Sequence, residues 1–210
     1  MFTIYKYIFF IFTFLFFTNA IALETDWSSG VESQVRIISP LSQNNKSNVV
    51  LGLEYRMLEG WKTYWQSPGD GGFPQEIIWN KSSNIKSLEI LWPTPKEFKI
   101  LGFKSIGYSD KVIFPITINV KDKNLPTKIV IDLNYLVCKD ICIPGRADLE
   151  LVIPTGKGKL TKHFYTLEKS LSKLPTANLD INLVNYAKTN ITIDKKNINF
   201  ILSLKTESFF

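Results

Sequence analysis

The chain has 210 residues, of which 45% are hydrophobic, and it carries 25 Lys and Arg against 19 Asp and Glu. This hydrophobic content supports a packed core and excludes wholesale disorder. The formal charge of +6 comes from dispersed lysines rather than an arginine-rich run. Such a surface is typical of a solvated basic protein, and we expect no nucleic-acid partner.

The N-terminus has the pattern of an export signal. Lys6 is its only charged side chain, residues 8–17 are apolar apart from one threonine, and Ala20 and Ala22 satisfy the small-residue rule of signal peptidase. We predict that residues 1–22 are cleaved and that the protein works in an oxidising, extracytoplasmic space. The alternative is an uncleaved anchor, but the apolar run is shorter than the roughly 20 residues of a spanning helix.

Hydrophobic and polar residues alternate along most of the chain after residue 31. The alternation predicts about eight strands, including 49–55, 61–65, 77–79, 87–92, 112–120, 129–137 and 147–153. Residues 67–72 are predicted to form a long turn, and residues 96–110 an irregular connection. No helix is predicted among the strands. The spacing predicts an all-β fold over residues 23–154, an antiparallel sandwich of immunoglobulin-like layout.

The pattern changes after Pro154. Apolar residues recur at steps of four and three, which predicts one amphipathic helix within a linker over residues 155–176. Its stripe consists of Leu160, Phe164, Leu167, Leu171 and Leu174, and Pro175 ends it. Residues 177–210 alternate weakly, which predicts either a partial second β unit or an unstructured tail.

The only two cysteines, Cys138 and Cys142, lie four residues apart. Core-facing positions of the flanking strands are odd-numbered, so parity turns both cysteines to the outer, exposed face. If residues 139–141 form a hairpin loop, the cysteines are cross-strand neighbours. Facing Cα atoms in an antiparallel pair lie about 4.5–5.5 Å apart, which is within disulfide range.

This pair is open to three roles. A structural disulfide would close a five-residue loop and contribute only about 2 kcal/mol. A metal site would need two more ligands, and the one histidine, His163, lies in the predicted helix, so we expect neither metal nor other cofactor. Thiol–disulfide exchange is favoured. Lys139 and Arg146 would lower a thiol pKa, whereas Asp140 would raise it.

Several motifs carry a resemblance to a known family. They are GWKTYW with SPGD (60–65 and 67–70), LWP (91–93), GYSD (107–110) with Pro115, and YLVCKDICIP (135–144). Their order and spacing over residues 25–153 resemble the N-terminal periplasmic domain of DsbD-type thiol:disulfide interchange proteins, especially the ScsB-like branch. The resemblance implies an immunoglobulin-like domain whose cysteine pair relays reducing equivalents as a component of a protein-disulfide reductase.

The resemblance also implies partners. In the family, a polytopic membrane domain reduces a periplasmic thioredoxin-like domain, which then reduces this domain. Partners would therefore be thioredoxin-like periplasmic domains and cytochrome c maturation proteins, with electrons from a separately encoded transmembrane disulfide reductase. Two departures stand out: DsbD itself spaces its cysteines more widely, and this chain has neither the membrane domain nor the thioredoxin-like domain.

Residue roles follow from the resemblance as well. Cys142 maps to the exchanging thiol and Cys138 to the resolving thiol. Family members shield the pair with an aromatic side chain on a cap loop, and residues 96–103 are the expected cap. The implied cap and lining residues are Phe98, with Phe103 as the second candidate, Glu97 as a proton carrier, and Tyr64 and Tyr108. For these aromatic residues, plain core packing is the alternative.

Two other functions are compatible with the sequence. One is a non-catalytic, secreted β-sandwich that binds a partner and carries a structural disulfide. The other is a truncated remnant of a larger disulfide reductase. Other enzyme classes lack support, because the turn at 67–72 has no GK[ST] phosphate-loop signature and a single histidine makes a hydrolase triad improbable.

Overall fold

The computed structural model describes residues 22–100, 102–175, 186–194 and 197–205, with side chains described up to residue 175. It divides into two compact units, the first ending at Leu174 and the second beginning at Pro175. The predicted signal peptide lies outside the described residues, apart from Ala22. Among the described helices, none has the length and apolarity needed to cross a membrane.

The first unit is an antiparallel sandwich, which confirms the predicted immunoglobulin-like β fold. Its strands are β1 (Ser33–Ile38), β2 (Asn48–Met57), β3 (Lys62–Gly69), β4 (Glu76–Ile78), β5 (Ile85–Ile90), β6 (Lys96–Ile100), β7 (Phe103–Ser109), β8 (Lys111–Val120), β9 (Thr127–Cys138) and β10 (Cys142–Ile153), followed by helix α1 (Phe164–Leu171). One sheet has the order β1-β2-β8-β5. The other has the order β10-β9-β3-β7-β6, and β4 also pairs with β9.

The second unit is a hairpin of β11 (Tyr186–Asp194) and β12 (Asn197–Lys205). It falls within residues 177–210, for which the sequence predicted either a partial β unit or an unstructured tail. The domain boundaries at residues 154 and 176 stay predictions.

The inward faces of the two sheets carry the apolar alternation that the sequence predicts. Odd-numbered residues of β1, β2, β9 and β10 are buried together with the even-numbered residues of β8. Tyr55 lies at the centre, in edge-to-face contact with Phe114 at 5.3 Å and with Tyr135 at 5.2 Å between ring centroids. Each fully buried apolar side chain contributes about 1.5–3 kcal/mol, so this shared core is the main source of stability.

The outer face of β2 is also covered, although the alternation predicted a half-buried strand. Leu167 of α1 packs with Ile38 and Ile113 over this face. They meet above Gly52, where an added Cβ would lie 2.9 Å from side-chain atoms of both isoleucines. A side chain at this position would therefore displace the helix.

Helix α1 is shorter than its apolar stripe predicts. It begins at Phe164, whereas Leu160 lies in an isolated β-bridge with Leu41 and is 55% exposed. The cause is Thr161, whose hydroxyl donates a hydrogen bond to the carbonyl oxygen of Ser39. This bond fixes the chain in an extended path before the helix begins.

The prediction of an irregular connection over residues 96–110 is wrong, because β6 and β7 form a hairpin there. Phe98 and Ile100 are the only apolar residues of β6, and two alternating positions are too short a signal to predict a strand. The turn predicted at residues 67–72 also begins later, since β3 continues to Gly69 through a register shift after Tyr64.

Candidate functional site

The two cysteines form a disulfide across the hairpin between β9 and β10. Cys138 and Cys142 are direct register partners with Cα atoms 4.1 Å apart. The loop between them is closed by a hydrogen bond from the Lys139 N–H to the Ile141 carbonyl oxygen, at 3.0 Å. The cross-strand pairing predicted from parity is therefore confirmed.

The expectation that both cysteines lie on an exposed face is wrong for one of them. Cys138 is 0% exposed, whereas Cys142 is exposed. Tyr64 and Ile100 cover Cys138, with Phe98 and Leu136 packed around them. The cover comes from β3 and β6, strands distant in sequence, so strand parity in the cysteine hairpin carried no sign of it.

Tyr64 contacts the disulfide directly. Its hydroxyl donates a hydrogen bond to Sγ of Cys138 at 3.0 Å and lies 3.9 Å from Sγ of Cys142. Burial raises the pKa of the Tyr64 phenol, so it stays a neutral hydrogen-bond donor at physiological pH. Tyr64 thus points an O–H at the buried sulfur atom.

A glycine-rich loop holds the Tyr64 ring from the other side. Gly72 has φ +121°, and an added Cβ would lie 2.1 Å from the Tyr64 ring. Only glycine combines this backbone conformation with such a close approach. The Ser105 hydroxyl donates a hydrogen bond to the Gly71 carbonyl oxygen at 2.9 Å, which fixes the loop to β7.

The two predicted cap aromatics have different environments. Phe98 is partly buried, belongs to the cluster over Cys138 and lies 6.3 Å from Tyr64 between ring centroids. Phe103 is 56% exposed and packs on Gly71. The cover also includes Ile100, which the sequence analysis missed although it shares the parity of Phe98 on β6.

The structure does not bring Glu97 or Tyr108 to the disulfide. Glu97 is exposed, lies 3.8 Å from Nζ of Lys104 and alternates away from Phe98 on β6. Tyr108 faces the sandwich core, where its hydroxyl donates a hydrogen bond to the Pro93 carbonyl oxygen at 2.7 Å. Packing alone accounts for the position of Tyr108.

The sequence analysis missed Lys62, a cation in register with the disulfide. Lys62 is the register partner of Cys138 on β3, so its side chain leaves the same face of the sheet. Its Nζ donates a hydrogen bond to the Gly60 carbonyl oxygen at 2.8 Å and lies 5.8 Å from the Phe98 ring centroid. The alternation of residues within each strand does not predict which strands pair, so the pairing of β3 with β9 could not be predicted from it.

The charges predicted to act on the thiols are placed differently. Arg146 lies four positions along β10 and binds Asp132 at 2.9 Å, so it is engaged away from the sulfur atoms. Lys139 adjoins Cys138 in the chain, and its Nζ donates a hydrogen bond to the Glu59 carbonyl oxygen at 3.3 Å. Asp140 is exposed in the loop.

The described residues contain no group of three or more His, Cys, Asp and Glu side chains placed to hold a metal ion. His163, at the start of α1, is buried and contacts Glu24, with Nε2 2.5 Å from a carboxylate oxygen. Burial lowers the pKa of His163, although Glu24 opposes this shift.

The structure is thus an immunoglobulin-like sandwich domain that carries a disulfide with one covered and one exposed cysteine. Comparison with known proteins identifies its family. A family model described as the N-terminal part of thiol:disulfide interchange protein DsbD matches residues 33–154. The match spans more than half of the chain. The chain belongs to this family.

Structural comparison gives the same result. The chain is similar to the N-terminal periplasmic domain of ScsB from Proteus mirabilis, with 26% sequence identity and a TM-score of 0.68 over 90% of this chain and 71% of that one. The reduced N-terminal domain of DsbD from Neisseria meningitidis matches with 14% identity and a TM-score of 0.32, over 68% of this chain and 91% of that one. A search of curated protein sequences gives no match.

Proposed function

We propose that this protein is a periplasmic thiol–disulfide exchange domain that relays reducing equivalents through Cys138 and Cys142. The observation that carries the proposal is the unequal exposure of the two cysteines within one disulfide. An incoming thiolate reaches Cys142, while the cover shields Cys138. A disulfide that served only as a staple would have no need of this asymmetry, and membership of the DsbD family supports exchange.

The reductive half-reaction follows from this geometry. A donor thiolate attacks Sγ of Cys142, and the disulfide bond breaks with its electron pair leaving on Sγ of Cys138. The Tyr64 hydroxyl, 3.0 Å from that sulfur, donates a hydrogen bond to the thiolate as it forms. A better stabilised leaving thiolate departs faster. A second donor thiolate then attacks the donor sulfur of the mixed disulfide, which releases Cys142 as a thiol.

The second half-reaction passes the electrons on. The Cys142 thiolate attacks a partner's disulfide and forms a mixed disulfide, and one partner sulfur leaves as a thiolate. Cys138 then attacks Sγ of Cys142, which restores the intramolecular disulfide and releases the second partner thiol. The partner gains two electrons and two protons, and the domain loses the same number.

The location and partners are part of the proposal. A signal peptide over residues 1–22 would export the chain and leave Leu23 as the first residue of the mature protein, at the start of the described fold. There, the Leu23 carbonyl oxygen accepts a hydrogen bond from the Ser39 N–H at 2.9 Å. Thioredoxin-like domains would be the exchange partners, and a transmembrane disulfide reductase would supply electrons. The likeness to a periplasmic domain of ScsB supports this compartment.

Trapping tests the roles of the two thiols. The reduced Cys138→Ser variant is mixed with a purified thioredoxin whose resolving cysteine is replaced by Ser and whose other active-site cysteine carries thionitrobenzoate. Cys142 should attack that cysteine, release thionitrobenzoate as a thiolate and accumulate a mixed disulfide visible on a non-reducing gel. The matched Cys142→Ser variant should form none, because its remaining thiol is covered. Equal adducts from both variants would contradict the assignment, and no adduct from either would contradict exchange.

The reduction potential separates exchange from a structural role. Equilibration of the oxidised protein with glutathione should give a value between about −180 and −270 mV, the range of thiol-exchange proteins. A value below about −300 mV would indicate a disulfide that resists exchange. The chain would then be a binding module with a structural disulfide.

A further inference from the structure

A lysine-lined cleft lies between α1 and the strands β7 and β8. It has a volume of about 850 Å³, and its walls come from the loop at Pro93 and Thr94, from β7 and the start of β8, and from α1. Four lysines line it and no carboxylate does: Lys96, Lys111, Lys169 and Lys173. A cleft with this composition selects an anionic occupant.

Three of these charges are uncompensated. Lys111 binds the buried Glu54 at 2.6 Å. Within the described residues, no ion pair involves Lys96, Lys169 or Lys173. All three are exposed. The cleft wall also includes the hydroxyl groups of Ser109, Tyr165 and Thr166, which are hydrogen-bond donors suited to carboxylate oxygens.

The walls of the cleft are tied together. The Thr94 N–H and hydroxyl both donate hydrogen bonds to the Lys173 carbonyl oxygen, at 3.0 and 3.1 Å. The Ser170 hydroxyl donates a hydrogen bond to the Ile113 carbonyl oxygen at 2.7 Å. The cleft is therefore preformed, so an occupant would not have to order it on binding.

The cleft lies beside the disulfide along the hydrogen-bonded ladder. Ser109 lines the cleft and is the register partner of Lys62, which is the register partner of Cys138. Two strand spacings of about 4.8 Å place Ser109 about 10 Å from Cys138. A standard interface covers about 800 Å² per partner, a disc of about 16 Å radius. A protein docked on the disulfide therefore reaches the wall of the cleft that Ser109 lines.

We propose that this cleft binds a carboxylate-rich segment of the protein that exchanges disulfides with Cys142. The inference rests on the proposed function and adds the chemistry of the partner: an acidic surface next to its reactive cysteines. The concave shape and the position beside the disulfide favour a peptide segment over an anionic membrane, which would require a flat or convex basic face.

The test uses two peptides that differ only in charge. Each carries one cysteine activated as a mixed disulfide with thionitrobenzoate, flanked by either six glutamates or six glutamines. The Cys142 thiolate of the reduced protein attacks the peptide sulfur, and thionitrobenzoate leaves as a coloured thiolate with the electron pair of the broken bond. Cys138 then attacks Cys142, which restores the protein disulfide and releases the peptide thiol.

The wild-type protein should react about tenfold faster with the glutamate peptide at about 20 mM salt, and this preference should vanish near 300 mM. The Lys169→Glu, Lys173→Glu double variant should lose the preference and keep its rate with the glutamine peptide. The control is Lys81→Glu, Lys86→Glu, which makes the same change of net charge at exposed lysines outside the cleft. It should keep the preference.

Three results would overturn the inference. The first is an unchanged preference in the cleft variant, and the second is an equal loss in both variants, which would indicate net charge alone. The third is cleft-dependent binding to vesicles containing phosphatidylglycerol without any peptide preference, since the cleft would then face a membrane. Failure of the proposed function is distinguishable, because a reduction potential below about −300 mV would contradict exchange whichever peptide reacts faster.

Discussion

Two small clusters lie outside the main core, and their covers differ. Under α1, the cluster consists of Ile38, Ile113 and Leu167, and on the disulfide face it consists of Tyr64, Ile100 and Cys138. Each fills an outer face of a sheet with apolar side chains from a distant part of the chain. The helical cover is closed, whereas the cover on the disulfide leaves Cys142, Ile141 and Phe103 exposed.

This difference in cover separates a cluster with a structural role from a cluster placed for the proposed exchange. Around α1, polar groups are paired: Ser170 bonds to Ile113, and Glu54 binds both Arg36 and Lys111. On the disulfide face, the Tyr64 hydroxyl points at the sulfur atom that would become a thiolate in the proposed exchange. Substitutions in the first region should therefore affect stability, and substitutions in the second should affect the exchange rate.

The largest expected effect is on stability, at Leu167. Its side chain is buried between Ile38 and Ile113, so Leu167→Ala should lower the free energy of unfolding by about 3 kcal/mol. Urea denaturation measures this loss. Leu160→Ala is the control, because that leucine is 55% exposed and should change stability by less than about 0.5 kcal/mol. Similar losses from both would contradict a sealed cluster.

Glu54 should give the next largest effect. It is buried and accepts hydrogen bonds from Arg36 and Lys111, so Glu54→Gln should cost about 2 kcal/mol at neutral pH, because hydrogen bonds to a charged group are lost. Glu89→Gln, at an exposed position, should leave stability unchanged. An equally small effect at both positions would show that the ion pairs do not stabilise the fold.

The contribution of Glu54 should depend on pH. Burial alone would raise the pKa of this carboxyl, but the hydrogen bonds from Lys111 and Arg36 outweigh it and lower the pKa. The stabilisation is therefore complete above the unfolded-state value of about 4.3 and is lost as the pH falls through the lower, folded-state pKa. The stability difference between wild type and Glu54→Gln should shrink below about pH 4. A difference that stays constant would contradict the lowered pKa.

Tyr64 should affect exchange more than stability. Tyr64→Phe removes the hydrogen bond to the leaving Cys138 thiolate, so reaction of the oxidised protein with dithiothreitol should slow about tenfold. Tyr108→Phe is the matched control, since its hydroxyl bonds to Pro93 in the core. It should cost about 1 kcal/mol of stability and leave the rate unchanged. A slower reaction in Tyr108→Phe, with an unchanged rate in Tyr64→Phe, would contradict the role of the Tyr64 hydroxyl.

Local pattern predicted the parts of the site that lie within one hairpin. Parity in β9 and β10 placed Cys138 opposite Cys142, and the motif resemblance placed Tyr64 and Phe98 near them. The burial of Cys138 was not predictable in the same way, because its cover depends on how β3 and β6 pair and curve. Long-range pairing leaves no local periodicity, and two alternating residues in β6 are too weak a signal.

The same limit explains the charges near the thiols. Arg146 is close to Cys142 in sequence, but a strand advances about 3.3 Å per residue, so four positions place it about 13 Å away, where it binds Asp132. Lys62 is 76 positions before Cys138 in the chain, yet it is the register partner of Cys138. Sequence distance therefore pointed to Arg146 and missed Lys62.

Lys62 gives the last prediction, a smaller effect on thiol chemistry. The charged groups facing Cys138 are Lys62 on β3 and Lys139 and Asp140 in the loop, with Tyr64 as a neutral donor. The loop charges of Lys139 and Asp140 have opposite sign and partly cancel, whereas Lys62 forms no ion pair within the described residues. The positive charge of Lys62 therefore favours the Cys138 thiolate, so Lys62→Met should raise the pKa of this thiol.

The measurement isolates Cys138 in a Cys142→Ser background, where thiolate absorbance at about 240 nm is followed against pH. Lys62→Met should move the titration to higher pH, whereas Lys62→Arg should keep it in place. Arg146→Met removes an equal charge bound to Asp132 and should leave the titration unchanged. In the protein with both cysteines, the Lys62→Met exchange rate should fall about threefold, in keeping with a solvent-screened charge worth less than 1 kcal/mol. Equal shifts from Lys62→Met and Arg146→Met would mean that net charge, rather than the cation in register with Cys138, sets the reactivity of the buried thiol.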